Sequence, residues 1–228
     1  ATVRERRPAV SYRTIPPASA ALVFFDTLNY GFADPPEDHR QRVAAAKANW
    51  VRLAEAARAH GVPVFYPLAD HRPDGADVAA RYTDVDHDMR PWADPEVRRR
   101  PHTANLSGSW GAQVIDEISP REGDYLIPKH RWSAFFQTRL ELSLRTRGAT
   151  VIILCGGATE IGIASTAYAA RDLDFDLVIV RDACTTRREA VHQLFVDDVF
   201  PRFARVRTTD EVIAMMAAGA AGATGATG

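Results

Sequence analysis

Two side chains that can exchange protons each stand at the end of an apolar run. Asp26 lies in the run AALVFFDTL, residues 20–28, and Lys129 in the run DYLIPKH, residues 124–130. A carboxyl group and an ammonium group within hydrogen-bond reach of each other can do acid–base chemistry, and burial in an apolar site changes which of their protonation states is favoured. Both residues are therefore candidate site residues if the fold brings the two run ends together.

A third candidate segment carries backbone groups instead of reactive side chains. Residues 156–162, GGATEIG, follow the apolar run 150–155 and contain no Ser, Cys or His, and Gly162 stands where a nucleophile might be expected. The segment is predicted to form a turn that leads into a helix with Thr159 as its N-cap. The N–H groups of 158–162 would then face the site, and helix N-termini favour anions.

Apolar periodicity places these segments on a regular alternation of strands and helices. The predicted strands are 20–28, 62–69, 124–130, 150–155, 176–183 and 203–208. The predicted helices are 37–61, 133–148 (capped by Ser133 and Gly148), 160–173, 188–199 and 209–220 (capped by Thr209).

Short strands that alternate with helices predict an α/β protein, a single doubly wound domain with a six-stranded parallel sheet and helices on both faces. Ligands bind beyond the C-terminal ends of the strands in such folds. The expected layout is an N-terminal arm at 1–19, the domain at 20–216 and an Ala/Gly-rich, disordered tail at 217–228.

Composition excludes several classes of function. The formal net charge of −1 gives no electrostatic basis for binding nucleic acid or an anionic membrane. No apolar segment approaches the roughly 20 residues that span a bilayer. The N-terminal segment lacks the apolar core of a signal peptide, and two cysteines argue against a disulfide scaffold, so we expect a cytoplasmic protein.

Three segments together resemble the isochorismatase-like hydrolase superfamily, also called the cysteine hydrolases. They are LVFFDTLNYGF (22–32), KHRWSAFFQTRLE (129–141) and GGATEIGIASTAYAA (156–170). The resemblance implies a catalytic Asp at Asp26, a Lys at Lys129 and a Cys position that falls on Gly162. Isochorismatases proper also carry glycine there, and KHRWSAF resembles their K-x-R-aromatic-S-A-F stretch.

The resemblance implies hydrolysis of a vinyl ether in a small, carboxylate-bearing molecule, with release of pyruvate and no covalent intermediate. Asp26 would be the general acid and base, and Lys129 would tune it and pair with the substrate carboxylate. The amides that match Ala158 and Gly162 form the oxyanion hole of thiol-using relatives, where a cis peptide corresponds to Gly157–Ala158. Thr159, Glu160 and Ile161 complete this loop as candidate substrate or oxyanion contacts.

Other interpretations of the function and of single residues remain open. Asp26 could activate water for C–N hydrolysis, or the site could bind a ligand without catalysis. Arg131 and Trp132 are either substrate contacts or packing at the helix entrance. Cys155 and Cys184 are expected to be small core residues. The resemblance also implies assembly as a homodimer or homotetramer around a small-molecule substrate.

We predict no cofactor and no metal. Nicotinamidases in the superfamily bind a metal through an Asp and two His, and here Asp70, His71 and the segment DVDHD at 84–88 offer such groups. The adjacent spacing of Asp70 and His71 differs from the Asp-x-His of that group, which favours a solvated loop.

Overall fold

Six short apolar segments form the strands of one parallel sheet. The computed structural model describes residues 12–78 and 105–224. Its strands are β1 (Ala20–Phe25), β2 (Val64–Ala69), β3 (Tyr125–Lys129), β4 (Val151–Gly157), β5 (Asp176–Thr185) and β6 (Arg205–Arg207). Each predicted strand is present, with its ends shifted by up to a few residues.

The sheet has the order β3-β2-β1-β4-β5-β6, and every neighbouring pair is parallel. All residues of β1 and β4 are buried, so both faces of the central strands are covered. The strand order reverses direction between β1 and β4, which is the switch point where doubly wound sheets bind ligands. The predicted six-stranded parallel α/β fold is confirmed.

The helices cover this sheet. They are α1 (Asn29–Phe32), α2 (Glu37–Ala59), α3 (Leu140–Thr146), α4 (Ala164–Asp172), α5 (Glu189–Leu194) and α6 (Thr209–Thr224). In α2, the buried positions Val43, Ala46, Trp50 and Leu53 follow helical spacing, and α2 packs on β5 and α6. Within the described ranges, no helix combines the length and the apolar character that crossing a bilayer demands.

The third helix starts later than the periodicity predicts. Helix α3 begins at Leu140, because Gln137 has a left-handed backbone with φ 53° that breaks a helix from Ser133. The hydroxyl of Thr138 accepts a hydrogen bond from Leu140 N at 3.2 Å and donates one to Ala134 O at 2.5 Å. Residues 130–139 consequently form turns that carry the chain away from β3.

The N-caps of two helices also differ from the prediction. Thr208 caps α6, because its Oγ1 accepts from Glu211 N while Glu211 Oε2 accepts from Thr208 N, a reciprocal capping box. Thr209 instead donates from N and Oγ1 to Asp182 Oδ1 at 2.8 and 2.9 Å. The turn before α4 is a π-helical segment, Thr159–Ile163, whose N-cap is Ala158, not Thr159.

The two ends of the described chain pack against each other. Ile15 is fully buried, and its N–H donates to Met215 O at 3.0 Å. Helix α6 continues to Thr224, so the disorder predicted from residue 217 is wrong as far as that residue; 225–228 lie outside the described residues. A side chain at Gly219 would place its Cβ 2.1 Å from Ile15 O, so glycine allows this close approach.

Two glycines of α6 provide a matched test of this packing. Gly219→Ala should lower the free energy of unfolding by about 1–3 kcal/mol, because the methyl group collides with the backbone at Ile15. Gly222→Ala, where a Cβ meets no atom within 4 Å, should be neutral or stabilising by up to ~1 kcal/mol. Urea denaturation of both variants measures the difference, and equal effects would refute the contact.

Candidate active site

A cavity of about 540 Å³ opens at the C-terminal ends of the central strands. Its walls include the turn after β1, the end of β3 and the loop after β4. The candidate residues that line it are Asp26, Lys129, Trp132, Ala158, Glu160, Ile161 and Gly162. Most of the predicted site residues therefore meet in one cavity, at the switch point of the sheet.

Asp26 and Lys129 form a hydrogen-bonded ion pair at the base of the cavity. Lys129 Nζ donates to Asp26 Oδ2 at 2.6 Å, and the lysine side chain is 4% exposed. The other carboxylate oxygen, Oδ1, accepts from Ala69 N at 2.7 Å. Three neighbouring strands thus hold the pair, because β1, β2 and β3 end side by side. The fold thus brings the two run ends together, and the contact that acid–base exchange between these side chains requires is present.

The backbone of Asp26 is itself unusual. Its φ is +47°, a left-handed conformation that is uncommon for residues other than glycine. Asp26 N donates to Pro67 O at 2.9 Å, and its own O accepts from Leu28 N at 2.8 Å, which fix this turn. Such outliers concentrate at functional sites, and here the turn follows the strand end directly.

The aromatic ring of Phe25 occupies the space beside Gly162. A Cβ at Gly162 would lie 1.9 Å from Phe25 Cε1 and 2.4 Å from Cζ, far inside van der Waals contact. The same ring lies under Lys129, whose Nζ is 4.4 Å from the ring centroid. Any side chain at residue 162 would therefore require the Phe25 ring to move.

The loop after β4 presents backbone groups to the cavity. The peptide bond Gly157–Ala158 is cis, as the resemblance implies. Gly157, Ala158 and Gly162 all line the cavity. Ile161 N and Ile163 N both donate to Ala158 O at 3.2 Å, so these two N–H groups are engaged within the turn. The other N–H groups at the start of a helix can bind an oxygen of a ligand.

Two predicted contacts do not reach the cavity with their side chains. Thr159 is fully buried, and its Oγ1 forms a hydrogen bond with His192 Nδ1 at 3.0 Å. Its side chain is therefore not available to a ligand in the cavity. Arg131 turns outward, where Nη1 donates to Asp77 O and His130 O at 2.7 Å each. Trp132 lines the cavity with 57% of its surface exposed, at the rim.

A polar wall that the sequence analysis missed joins α2 to the segment after β5. Thr186 Oγ1 donates to Glu160 Oε1 at 2.8 Å. His39 contacts Thr185 Oγ1 through Nε2 at 3.3 Å and Arg42 Nη2 through Nδ1 at 3.1 Å. His39 lies one turn before Val43 on the buried face of α2. The helical spacing of the apolar positions could therefore have identified His39 from the sequence.

The protonation of His39 follows from its partners. The Arg42 guanidinium can only donate, so Nδ1 accepts and Nε2 carries the proton that is donated to Thr185. Burial lowers the pKa of His39, and the charge of Arg42 lowers it further. Burial also lowers the pKa of His192. Both imidazoles are therefore held in the neutral form.

Both cysteines are buried core residues, as predicted. Cys155 is fully buried and Cys184 is 5% exposed. Burial raises the pKa of each thiol, which suppresses the nucleophilic thiolate. Neither cysteine replaces the missing nucleophile at Gly162.

Beside the cavity, three possible metal ligands come together. His71 Nδ1 lies 3.4 Å from Asp77 Oδ1, and His130 Nδ1 lies 3.3 Å from Asp77 Oδ2. The three ligand atoms lie within 4.8 Å of one another. Of the groups considered from sequence, only His71 belongs to this cluster, and 84–88 lie outside the described residues. The expectation that the site works without a metal stays a prediction.

Comparison with known proteins identifies the family of this fold. The model of the isochorismatase domain matches residues 20–211. The uncharacterised isochorismatase family protein YwoC of Bacillus subtilis is 35% identical over 85% of this chain and 92% of its own length. This chain belongs to the isochorismatase family. As members of the family are hydrolases, this protein is an isochorismatase-family hydrolase.

Further similar proteins include one that is named for a specific activity. N-carbamoylsarcosine amidase of an Arthrobacter species is 32% identical over 75% of this chain and 61% of its own length. The structure of an isochorismatase family protein from Burkholderia thailandensis superposes with a TM-score of 0.72. It is 32% identical and covers 90% of this chain and 99% of that chain. Family membership thus fixes the fold and the class of enzyme, while the substrate depends on the local geometry.

A double-mutant cycle tests the packing of Phe25 on Gly162. Gly162→Ala should lower the free energy of unfolding by about 1–3 kcal/mol, because the methyl group overlaps the ring. In the Phe25→Val background the same substitution should cost less, and the coupling energy should exceed ~0.5 kcal/mol. Gly31→Ala, in another wall of the cavity with open space for a Cβ, is the control and should not couple to Phe25.

The neutral histidines make stability depend on pH. Because the pKa values of His39 and His192 are lowered from 6.5 in the folded chain, the unfolded chain binds more protons near that pH. The free energy of unfolding should therefore fall as the pH drops below about 6.5. Urea denaturation between about pH 7.5 and 5.5 should show this slope, and His39→Asn should reduce it. An unchanged slope in His39→Asn, equal to that of the control His60→Gln, would contradict the assignment.

Proposed function

We propose that this protein hydrolyses a small, carboxylate-bearing molecule by acid–base chemistry of Asp26 and Lys129, without a covalent enzyme intermediate. The observation that carries the proposal is the Phe25 ring in the space that a nucleophilic side chain at residue 162 would need. The site contains the Asp26–Lys129 ion pair and the amide loop, residues 156–162, but residue 162 carries no thiol. A reaction driven by proton transfer fits what remains.

Hydrolysis of a vinyl ether of the isochorismate type is the reaction that suits this arrangement. An acid adds a proton to the terminal vinyl carbon, which leaves an oxocarbenium ion. One water molecule adds to that cation, and the resulting hemiketal breaks its C–O bond to give pyruvate and an alcohol. The reaction consumes one water and returns the proton, so no bond to the enzyme is required.

In the proposed reaction Asp26 delivers the proton to the substrate, and Lys129 supplies the proton to Asp26. The Nζ–Oδ2 distance of 2.6 Å puts an ammonium proton within transfer distance of the carboxylate. After the vinyl carbon is protonated, the carboxylate form of Asp26 can accept a proton from the attacking water. Asp26 then returns that proton to Lys129, which restores the ion pair, and the ring of Phe25 shields the pair on one side.

Cationic and N–H groups around the cavity suit a substrate carboxylate. Arg187 lines the cavity together with Lys129, and the loop of Ala158 and Gly162 contributes backbone N–H groups. In the apolar surroundings of Phe25 and Phe32, such interactions are stronger than in water.

C–N hydrolysis is the second candidate. The relative named N-carbamoylsarcosine amidase, 32% identical, favours it. In this route Asp26 takes a proton from water, which attacks an amide carbonyl whose oxygen lies at the amide loop. Location in the cytoplasm and assembly as a homodimer or homotetramer remain predictions.

Substitution of the acid tests the proposed function. Asp26→Asn should reduce pyruvate release from isochorismate by about 10²–10⁴-fold in kcat/KM, since the amide cannot transfer the proton. Asp34→Asn changes an exposed carboxylate that also lines the cavity and should leave the rate within about 3-fold. A coupled lactate dehydrogenase assay of pyruvate measures both.

The outcomes separate the candidates. Ammonia release from carboxamide and carbamoyl substrates without pyruvate, again lost in Asp26→Asn, would replace the vinyl-ether reaction by C–N hydrolysis. Full pyruvate release by Asp26→Asn would refute the acid role. If neither product forms while benzoate raises the melting temperature, the site binds ligands without catalysis.

A further inference from the structure

The loop after β4 is held by a side-chain hydrogen bond that the acid–base mechanism does not use. Thr159 Oγ1 and His192 Nδ1 lie 3.0 Å apart, and this contact joins the loop to α5, 33 residues further along the chain. Thr159 is fully buried. A buried hydroxyl that loses its partner is costly, so the hydrogen bond constrains where this part of the loop can lie.

The Thr159–His192 pair lies outside the active-site cavity. In the described part of the chain, the lining of that cavity includes Ala158 and Glu160 but neither Thr159 nor His192. His192 instead lines a second cavity of about 180 Å³, together with residues such as Arg181. A ligand in the active-site cavity would therefore contact the loop and not His192.

The residues on either side of Thr159 form part of the cavity wall. Gly157, Ala158 and Gly162 all line the cavity. Because glycine has no side chain, main-chain atoms bound the cavity at residues 157 and 162. Thr159 belongs to the same turn, Thr159–Ile163, so a displacement of Thr159 would also displace the main chain that faces the cavity.

A second side-chain contact holds the same turn from the same direction. Thr186 Oγ1 donates to Glu160 Oε1 at 2.8 Å, and Thr186 lies just before α5. Strand β5 also pairs with the end of β4, where Thr185 is the partner of Gly157. The segment 185–192 thus supplies the contacts that fix the position of the loop, and such support is what holds a binding group in place before the ligand arrives.

His192 provides this support without adding a charge. Burial lowers the pKa of His192. The nearby acidic groups Glu189, Asp197 and Glu160 raise that pKa, and Arg181 lowers it. A neutral imidazole forms a hydrogen bond with a hydroxyl through either a donor or an acceptor nitrogen. Replacing His192 with an uncharged residue therefore tests its hydrogen bond and leaves the net charge of the neutral form unchanged.

We propose that His192 is a positioning residue, which acts through Thr159 to hold the main chain of 158–162 where it binds an oxygen of the substrate carboxylate. This inference rests on the proposed function, in which that loop contributes N–H groups to the carboxylate. The Asp26–Lys129 pair lies on other strands, β1 and β3, and does not depend on His192. Loss of the positioning contact should therefore weaken binding and leave proton transfer intact.

Two variants that remove the hydrogen bond test this role. His192→Leu and Thr159→Val should each raise the Kd of benzoate and the KM for isochorismate by about 5-fold or more, with kcat within about 3-fold of the wild-type value. Isothermal titration calorimetry measures the Kd, and pyruvate release measures the kinetic constants, both at about pH 8, where the imidazole is neutral. An unchanged Kd in both variants, or no binding of benzoate by the wild-type protein, would overturn the proposal.

Conservative variants separate positioning from a loss of folded protein. Thr159→Ser keeps the hydroxyl and His192→Asn places an amide near the position of Nδ1, so both should bind benzoate within about 3-fold of the wild-type Kd. The double variant Thr159→Val/His192→Leu should bind no more weakly than the weaker single variant, and effects that multiply would refute the assignment. His60→Leu, at the end of α2 that precedes β2, is the control and should leave the Kd unchanged.

These measurements fail separately from those of the proposed function. Benzoate affinity that depends on His192 and Thr159, combined with no pyruvate release, would refute the vinyl-ether reaction and support the positioning role. Pyruvate release that depends on Asp26, combined with an unchanged Kd of benzoate in both variants, would do the reverse.

Discussion

The hydrogen bond between Lys129 and Asp26 is the constraint on which the rest of the site depends. A lysine that is 4% exposed has lost most of its hydration, and only a close carboxylate offsets that loss. The carboxylate is held in turn by Ala69 N, so the ends of three adjacent strands must keep their positions for the pair to form. The strand order of the parallel sheet therefore sets the geometry of the Asp26–Lys129 pair.

Two residues account for the absence of a nucleophilic side chain at residue 162, because the Phe25 ring packs directly against Gly162. A thiol at residue 162 would need the space that the Phe25 ring fills, and that ring also covers Lys129. The ring that fills this space thus also covers the Asp26–Lys129 ion pair on one side. In this chain the isochorismatase fold carries the Asp26–Lys129 ion pair and the loop at 156–162, and the proposed reaction uses proton transfer alone.

Much of this arrangement could be predicted from the sequence, for a simple reason. Apolar runs mark buried strands, and parallel strands end at a common edge, so Asp26, Lys129 and the loop at 156–162 had to approach one another. Features set by single hydrogen bonds or backbone angles could not be predicted: the left-handed Gln137 that delays α3, and the exchange of roles between Thr208 and Thr209. The polar wall was missed because Glu160 and His39 are 121 residues apart in the chain and meet only through Thr185 and Thr186.

Proton transfer from Asp26 can be measured most directly by following single-turnover release of pyruvate from isochorismate in H₂O and in D₂O. The account predicts slower release in D₂O, one solvent deuteron on the pyruvate methyl group, and a protein mass that stays unchanged throughout the turnover. Equal rates in the two solvents, or a protein mass raised by a bound substrate fragment, would contradict it.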